Sequence, residues 1–195
     1  MRGERAMRAL ERWSDDPIPG RRRGSAAGRG DGSAAPVAVY DASAVRYEMY
    51  MSAALAEAAS AAARGDRPDG AVAVLDDAMV ASAADSVRSS GDPTAHAVMV
   101  TLREAADRMG TTSLAGLTVY VVVEPCVMCV GALLESDVDG LVYALPDAVS
   151  GAAGSALQLA RNGDLGRHLD VVSGILRTDA AELIAAAPMA VRAAR

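Results

Sequence analysis

Thr118-Val119-Tyr120-Val121-Val122-Val123-Glu124-Pro125-Cys126-Val127-Met128-Cys129 is the stretch that decides the fold. Its first six residues are β-branched or aromatic and carry no polar alternation, the pattern of a central strand buried on both faces. Glu124 and Pro125 end that strand, and Cys126 opens a run over residues 127–135 that reads as helix. Working outward, Val45, Met49, Leu55, Ala58, Ala59 and Ala62 recur at helical spacing and predict a helix over 43–64, ended by the glycines of 65–70. Residues 71–75 and 79–83 are β-prone and separated by Asp76 and Asp77, which suits a hairpin. Residues 91–96 form a turn leading into a helix that runs to about Met109. Downstream, the pattern predicts a strand over 140–144, a short helix over 156–160, a strand over 171–176 and a final helix over 178–194. Strands alternating with helices predict an α/β sandwich around a mostly parallel sheet.

The chain has 195 residues, enough for one domain of ordinary size and a tail. No run approaches the ~18 consecutive apolar residues of a membrane span, so no membrane partner is expected. The net charge is -6, and all 19 basic residues are arginine. Residues 1–35 hold eight arginines against five acids, so the remainder carries -9. The Arg-, Gly-, Pro- and Ser-rich stretch after Asp15 has no apolar period to bury. The expected organisation is therefore a disordered tail over 1–42 and a folded domain over 43–195. Residues 1–13 lack the central apolar block of a secretory signal, and Glu4, Glu11, Asp15 and Asp16 argue against an organellar transit peptide.

Cys126 and Cys129 are the only cysteines. Three positions apart, they close too short a loop to staple a fold, which leaves a metal-binding, redox or incidental pair. His96 precedes Cys126 by 29 intervening residues, and each ligand group falls at a predicted helix start, where free N–H groups favour thiolate. Two thiolates and one imidazole bind zinc tetrahedrally and leave the fourth position open. A redox dithiol would leave His96 without a role; a core histidine beside two buried cysteines is the third option. His168, in Gly166-Arg167-His168, reads as an exposed loop residue rather than a fourth ligand.

Asp92-Pro93-Thr94-Ala95-His96-Ala97, Glu124-Pro125-Cys126-Val127-Met128-Cys129 and Gly151-Ala152-Ala153-Gly154-Ser155 resemble the zinc-dependent deaminases of the cytidine deaminase superfamily, in the form found in its tRNA adenosine deaminase branch. The resemblance spans roughly residues 43–190. It implies a three-layer α/β/α sandwich with a five-stranded mixed sheet, and Zn2+ held by His96, Cys126 and Cys129. It also implies a glutamate two residues after the histidine that moves protons during hydrolysis. Here that residue is Val98.

An isopropyl group can neither take nor give a proton, and general acid–base catalysis is worth about 10² to 10⁴ in rate. Glu104 lies about 240° around the same helix and points elsewhere; Glu124 already belongs to the family motif, and Asp92 precedes the helix. Asp85 stands where bacterial relatives usually carry a base-contacting asparagine, and a carboxylate cannot donate that amide hydrogen bond. His96-Ala97-Val98-Met99-Val100, Arg46-Tyr47-Glu48-Met49-Tyr50-Met51 and Leu141-Val142-Tyr143-Ala144 are similar to the non-catalytic subunit of the eukaryotic heterodimeric tRNA wobble adenosine deaminase. That likeness implies no catalytic residue of its own and a catalytic sister of the same fold as partner. It further implies tRNA bound through the complex, and work in nucleus and cytoplasm. Arg21, Arg22 and Arg23 are the candidate RNA contacts, since a domain at -9 is unfavourable for phosphate binding by itself. The competing readings are a free-standing deaminase with an unconventional proton shuttle and a homodimeric, inactive scaffold.

Overall fold

The structure, a computed structural model, describes residues 42–162 and 165–188. The elements in order are α1 (Ala42–Arg64), β1 (Gly70–Leu75), β2 (Ala78–Ala84), α2 (Val87–Ser90), α3 (Ala97–Met109), β3 (Thr118–Val123), α4 (Val127–Glu135), β4 (Gly140–Leu145), β5 (Asp170–Ser173) and α5 (Arg177–Ala186). The five strands form one sheet in the order β2-β1-β3-β4-β5, so β3 is central, as its unbroken apolar run requires. None of the described helices is long and apolar enough to cross a membrane.

The expectation of a mostly parallel sheet is corrected to a mixed one. β1 pairs antiparallel with both β2 and β3, whereas β3–β4 and β4–β5 are parallel. The cause is local: β1 and β2 are joined through Asp76 and Asp77, whose φ values of 47° and 65° make a two-residue turn that only an antiparallel return can follow. Asp tolerates this left-handed backbone better than most residues.

Alternation along the strands creates the layers. Val72, Val74, Tyr120, Val122, Val142 and Ala144 pack under α1 and α5, while Ala71, Ala73, Val119, Val121, Leu141 and Tyr143 pack under α3 and α4. Side chains two apart share a face, so one strand feeds both cores. Helix α1 approaches β1 closely because Ala54, Ala58 and Ala61 are small and fully buried. A Cβ on Gly70 would collide with the α1 backbone at Ala54 and Ala58.

Three further expectations need correction. Residues 156–160 are not helical: the N–H groups of Ala156 and Leu157 bond to the Gly151 carbonyl and that of Leu159 to Ala152, and Gln158 makes an isolated bridge with Ala153. The last strand ends at Ser173 because Gly174 and Leu176 have φ values of 86° and 51°. The last helix stops at Ala186, followed by Ala187 at φ -67°, ψ 146°. The residue before a proline is driven to extended geometry, and Pro188 follows. The short helix α2 had no sequence signal; Asp66 Oδ1 accepts the N–H groups of Arg88 and Ser89, both at 2.9 Å.

Candidate metal centre

His96 and Cys126 are the N-cap residues of α3 and α4, and Cys129 lies in the first turn of α4. β3 runs between these two helix starts, and its end delivers Cys126 beside His96. Cys126 Sγ lies 3.7 Å from Cys129 Sγ, and His96 Nδ1 lies 3.8 Å from Cys126 Sγ and 3.6 Å from Cys129 Sγ. Tetrahedral zinc, with Zn–S about 2.3 Å and Zn–N about 2.0–2.1 Å, sets its sulfurs about 3.8 Å apart and each about 3.5 Å from the nitrogen. The side chains therefore already stand at zinc-ligand spacing, and the cluster fits Zn2+. Among the described residues, only these three form a His/Cys/Asp/Glu group with ligand atoms mutually within 4.8 Å. His168 is exposed and outside the group.

The three groups are strongly coupled. The hydrogen bond shared with Cys129 pushes Cys126 down to about 3, with His96 assisting, so Cys126 is the more readily ionised of the pair. Cys129 moves up because it holds the proton shared with that thiolate and is buried. The hydrogen bond to Cys126 raises His96, against its partial burial. Such a set would release its protons to solvent on binding a divalent cation, whose charge then balances the thiolates.

Beside the cluster lies a cavity of about 280 Å³ whose walls include Arg67, Asp85, Pro93, His96, Cys126 and Ser150. Asp85 is 1% exposed. Its Oδ1 accepts the Val87 N–H at 3.2 Å. Burial raises its carboxyl, while the Val87 N–H, His96 and Arg67 act in the other direction. Val98, by contrast, is 2% exposed and belongs to the apolar layer containing Ala71, Val119 and Val121; it is not part of the cavity wall.

None of the three alternative carboxylates considered from sequence lines the cavity. Glu124 is 2% exposed and spent on backbone: Oε2 accepts Asp147 N–H at 3.0 Å, and Oε1 accepts Ala153 N–H at 2.9 Å and Ser155 N–H at 3.0 Å. Asp92 Oδ1 caps its own turn through the Thr94 N–H and hydroxyl. Glu104 pairs with Arg108 one turn along α3. Arg21, Arg22 and Arg23, with residues 1–41 of the expected tail, lie outside the described residues; Ala42 is the first residue of α1.

Sequence reading missed Asp69, a buried carboxylate at the head of β1 whose Oδ1 accepts the N–H groups of Gly70 and Val123, each at 3.1 Å. Its only signal was an acid directly before a strand, which usually means a turn. Burial pushes its carboxyl up to about 6. A group raised in the folded state adds stability below its unfolded value near 3.8 and loses that contribution as pH rises through about 6. A rise of this size corresponds to about 3 kcal/mol. Between pH 4 and 6.5 the melting temperature of the wild-type protein is therefore expected to fall relative to that of Asp69→Asn, which keeps the acceptor and shares the pH dependence of the metal ligands. Asp66 and Asp147 are lowered and titrate below this window. An unchanged slope in Asp69→Asn would remove this assignment.

A sandwich of this topology with a His/Cys/Cys cluster at two helix starts defines a zinc-binding deaminase domain. The cytidine and deoxycytidylate deaminase zinc-binding region matches residues 45–145, and the chain belongs to that family. It is 34% identical over 139 residues to the tRNA-specific adenosine deaminase of Bacillus subtilis (strain 168), covering 71% of this chain and 86% of that protein. A solved structure from work on A-to-I editing by tRNA:A34 deaminases at the wobble position of transfer RNA shares 35% identity with a TM-score of 0.67, covering 69% of this chain and 98% of that one. The guanine deaminase of Bacillus subtilis shares 33% identity with a TM-score of 0.51, covering 55% of this chain and 69% of that one.

Proposed function

We propose that this chain is a non-catalytic, zinc-binding subunit of a tRNA adenosine deaminase, paired with a glutamate-bearing sister that converts adenosine to inosine at the wobble position. The observation that carries this is Val98. Where deamination needs a group to move protons, this chain places a hydrocarbon and seals it in the core. Bound zinc supplies Lewis acidity, yet the reaction also requires a proton taken from water and delivered to the base. Glu124, Asp92 and Glu104 are engaged elsewhere. His96, Cys126 and Cys129 hold the metal, and the metal ties two helix starts to the sheet, a role that survives the loss of turnover.

The likeness to tRNA-specific adenosine deaminases supports tRNA as the complex's substrate. With the non-tail portion at -9, the partner and Arg21, Arg22 and Arg23 supply the positive surface for phosphate. Nucleus and cytoplasm are the compartments this reading assigns. A second reading, a free-standing deaminase, is favoured by one observation: Asp85 brings a carboxylate to the cavity wall.

Co-expression with the organism's glutamate-bearing homologue separates the two. Inosine in tRNA is expected from the pair and from the homologue, with the present chain alone at least about 10²-fold slower. Ordinary turnover by the purified chain alone, lost in Asp85→Asn, would overturn the non-catalytic reading. A stable homodimer that ignores the homologue would overturn the pairing.

A further inference from the structure

A second cavity, of about 600 Å³, opens on the face of the sheet away from the metal centre. The strand register places Val74, Thr118, Gly140 and Asp170 in one row across β1, β3, β4 and β5, with Tyr120, Val142 and Val172 in the row behind. Both rows line the cavity, so its floor is the end of the sheet beside the first turns of α1. Gly140 keeps the middle of that floor low, since a Cβ there would stand 2.8 Å from Thr118 Oγ1. Three tyrosines wall one side: the rings of Tyr50 and Tyr47 lie 5.2 Å and 6.3 Å from that of Tyr120, centroid to centroid. Tyr50 donates its hydroxyl to the Asp77 carbonyl at 2.6 Å. Tyr120 is 3% exposed, and its hydroxyl has no hydrogen-bond partner among the described residues. It is not one of the sealed, unpartnered oxygens, which among those residues are Asp66 Oδ2 and Ser155 Oγ. The Tyr120 hydroxyl therefore ends at the cavity, within the field of Arg46 and Asp77.

Carboxylates stand at both ends of the floor: Asp76 and Asp77 in the turn beyond β1, Asp139 and Asp170 at the entries to β4 and β5. Arg46 pairs with Asp77 at 2.7 Å, and the other three carboxylates meet no cation among the described residues. No three of these acids bring their oxygens within 4.8 Å of one another, so they do not form a metal site. From β1 to β5 the two ends are three strand spacings apart, about 14 Å. A long ligand with separated positive charges and hydrocarbon between them matches that layout. Ammonium groups meet the carboxylates at each end, one lies against the tyrosine rings and donates to the Tyr120 hydroxyl, and the methylene links cover Val74, Val142 and Val172. We propose that this second cavity binds a linear aliphatic oligoamine, with three or more ammonium groups on three- and four-carbon links. A four-carbon diamine is too short to touch both acidic ends. Bound there, the oligoamine offsets part of the -9 carried by the chain beyond its first 35 residues, and its binding is independent of whether the metal centre turns over.

The test is calorimetric titration of the zinc-loaded full chain with spermidine, putrescine and Mg2+ at fixed ionic strength. Spermidine is expected to bind one per chain and at least about tenfold tighter than putrescine or Mg2+, since each added ion pair or ring contact contributes up to about fivefold. Asp139→Asn combined with Asp170→Asn is expected to bring spermidine down to the putrescine level. Tyr120→Phe, which keeps the ring, is expected to weaken it by about threefold or more. Asp107→Asn combined with Glu182→Gln removes the same charge from exposed positions outside the cavity and is expected to change nothing. Metal content and melting temperature verify the fold of each variant. Equal affinity for spermidine and putrescine, an equal loss in the Asp107 and Glu182 pair, unchanged binding in Tyr120→Phe, or no saturable binding would each overturn the proposal. Binding seen only when Arg21, Arg22 and Arg23 are all replaced by serine would give the cavity to the chain's own arginines, and would overturn it too.

Discussion

Cys129→Ser is expected to lose bound zinc and to melt far below the wild-type protein, and a strong chelator is expected to produce the same shift in the wild type. Cys129 is 2% exposed and its sulfur sits within 3.7 Å of both other ligand atoms. The ligands come from two helix starts joined in sequence by the central strand, so a bound metal would crosslink α3 and α4 on one face of the sheet. Apparent zinc-binding free energies of structural sites in small peptides are about 10–16 kcal/mol, and binding to the folded state alone adds directly to folding. Several kcal/mol is then most of a domain's margin of about 5–15 kcal/mol. His96→Ala is expected to behave similarly. Metal analysis and calorimetric melting with and without chelator check this; equal melting temperatures for apo and loaded protein would show that the metal contributes nothing to the fold.

Glu124→Ala is expected to be the next most damaging change, at about 3–5 kcal/mol, in the range of broken buried networks. One side chain satisfies three N–H groups from Asp147, Ala153 and Ser155. Those contacts fold residues 147–155 against the cavity, with Gly151 packed so near the carboxyl that a Cβ there would strike it. Glu124→Gln keeps the Oε1 acceptor but turns an amide donor toward another N–H, so a smaller loss is expected. Gly151→Ala attacks the same contact from the other side. Denaturant melts together with limited proteolysis of 147–155 measure it. Wild-type stability in Glu124→Ala would mean the loop is held by other contacts.

The helix α1, the hairpin, β3 and the two ligand-bearing helix starts were all legible, because each depends on residues near in sequence. Ser, Gly and Pro placement and the 3.6- and 2-residue periods report local backbone preference directly. The failures share a cause. Residues 156–160 look helical by composition, yet their N–H groups turn back to the carbonyls of Gly151 and Ala152, in a loop that Glu124 holds from the end of β3 through Ala153 and Ser155. Asp69 reads as a turn residue, but its carboxylate replaces a sheet partner for Val123, 54 positions away. Asp66 caps α2 from 22 residues upstream. Local propensity carries no information about a donor that arrives from a distant part of the chain.

By itself, the amino-acid sequence indicated alternating strands and helices and marked His96, Cys126 and Cys129 as candidate ligands, since residue type and short-range spacing reach that far; the place of Val98 came from the resemblance its motifs carry. Only the tertiary structure decided that the three ligand atoms stand at zinc spacing, that Glu124 is consumed by backbone N–H groups, and that Asp85 lies in the cavity wall. Those outcomes depend on which surfaces the packed sheet brings within a few ångströms, and that is a property of the folded chain as a whole.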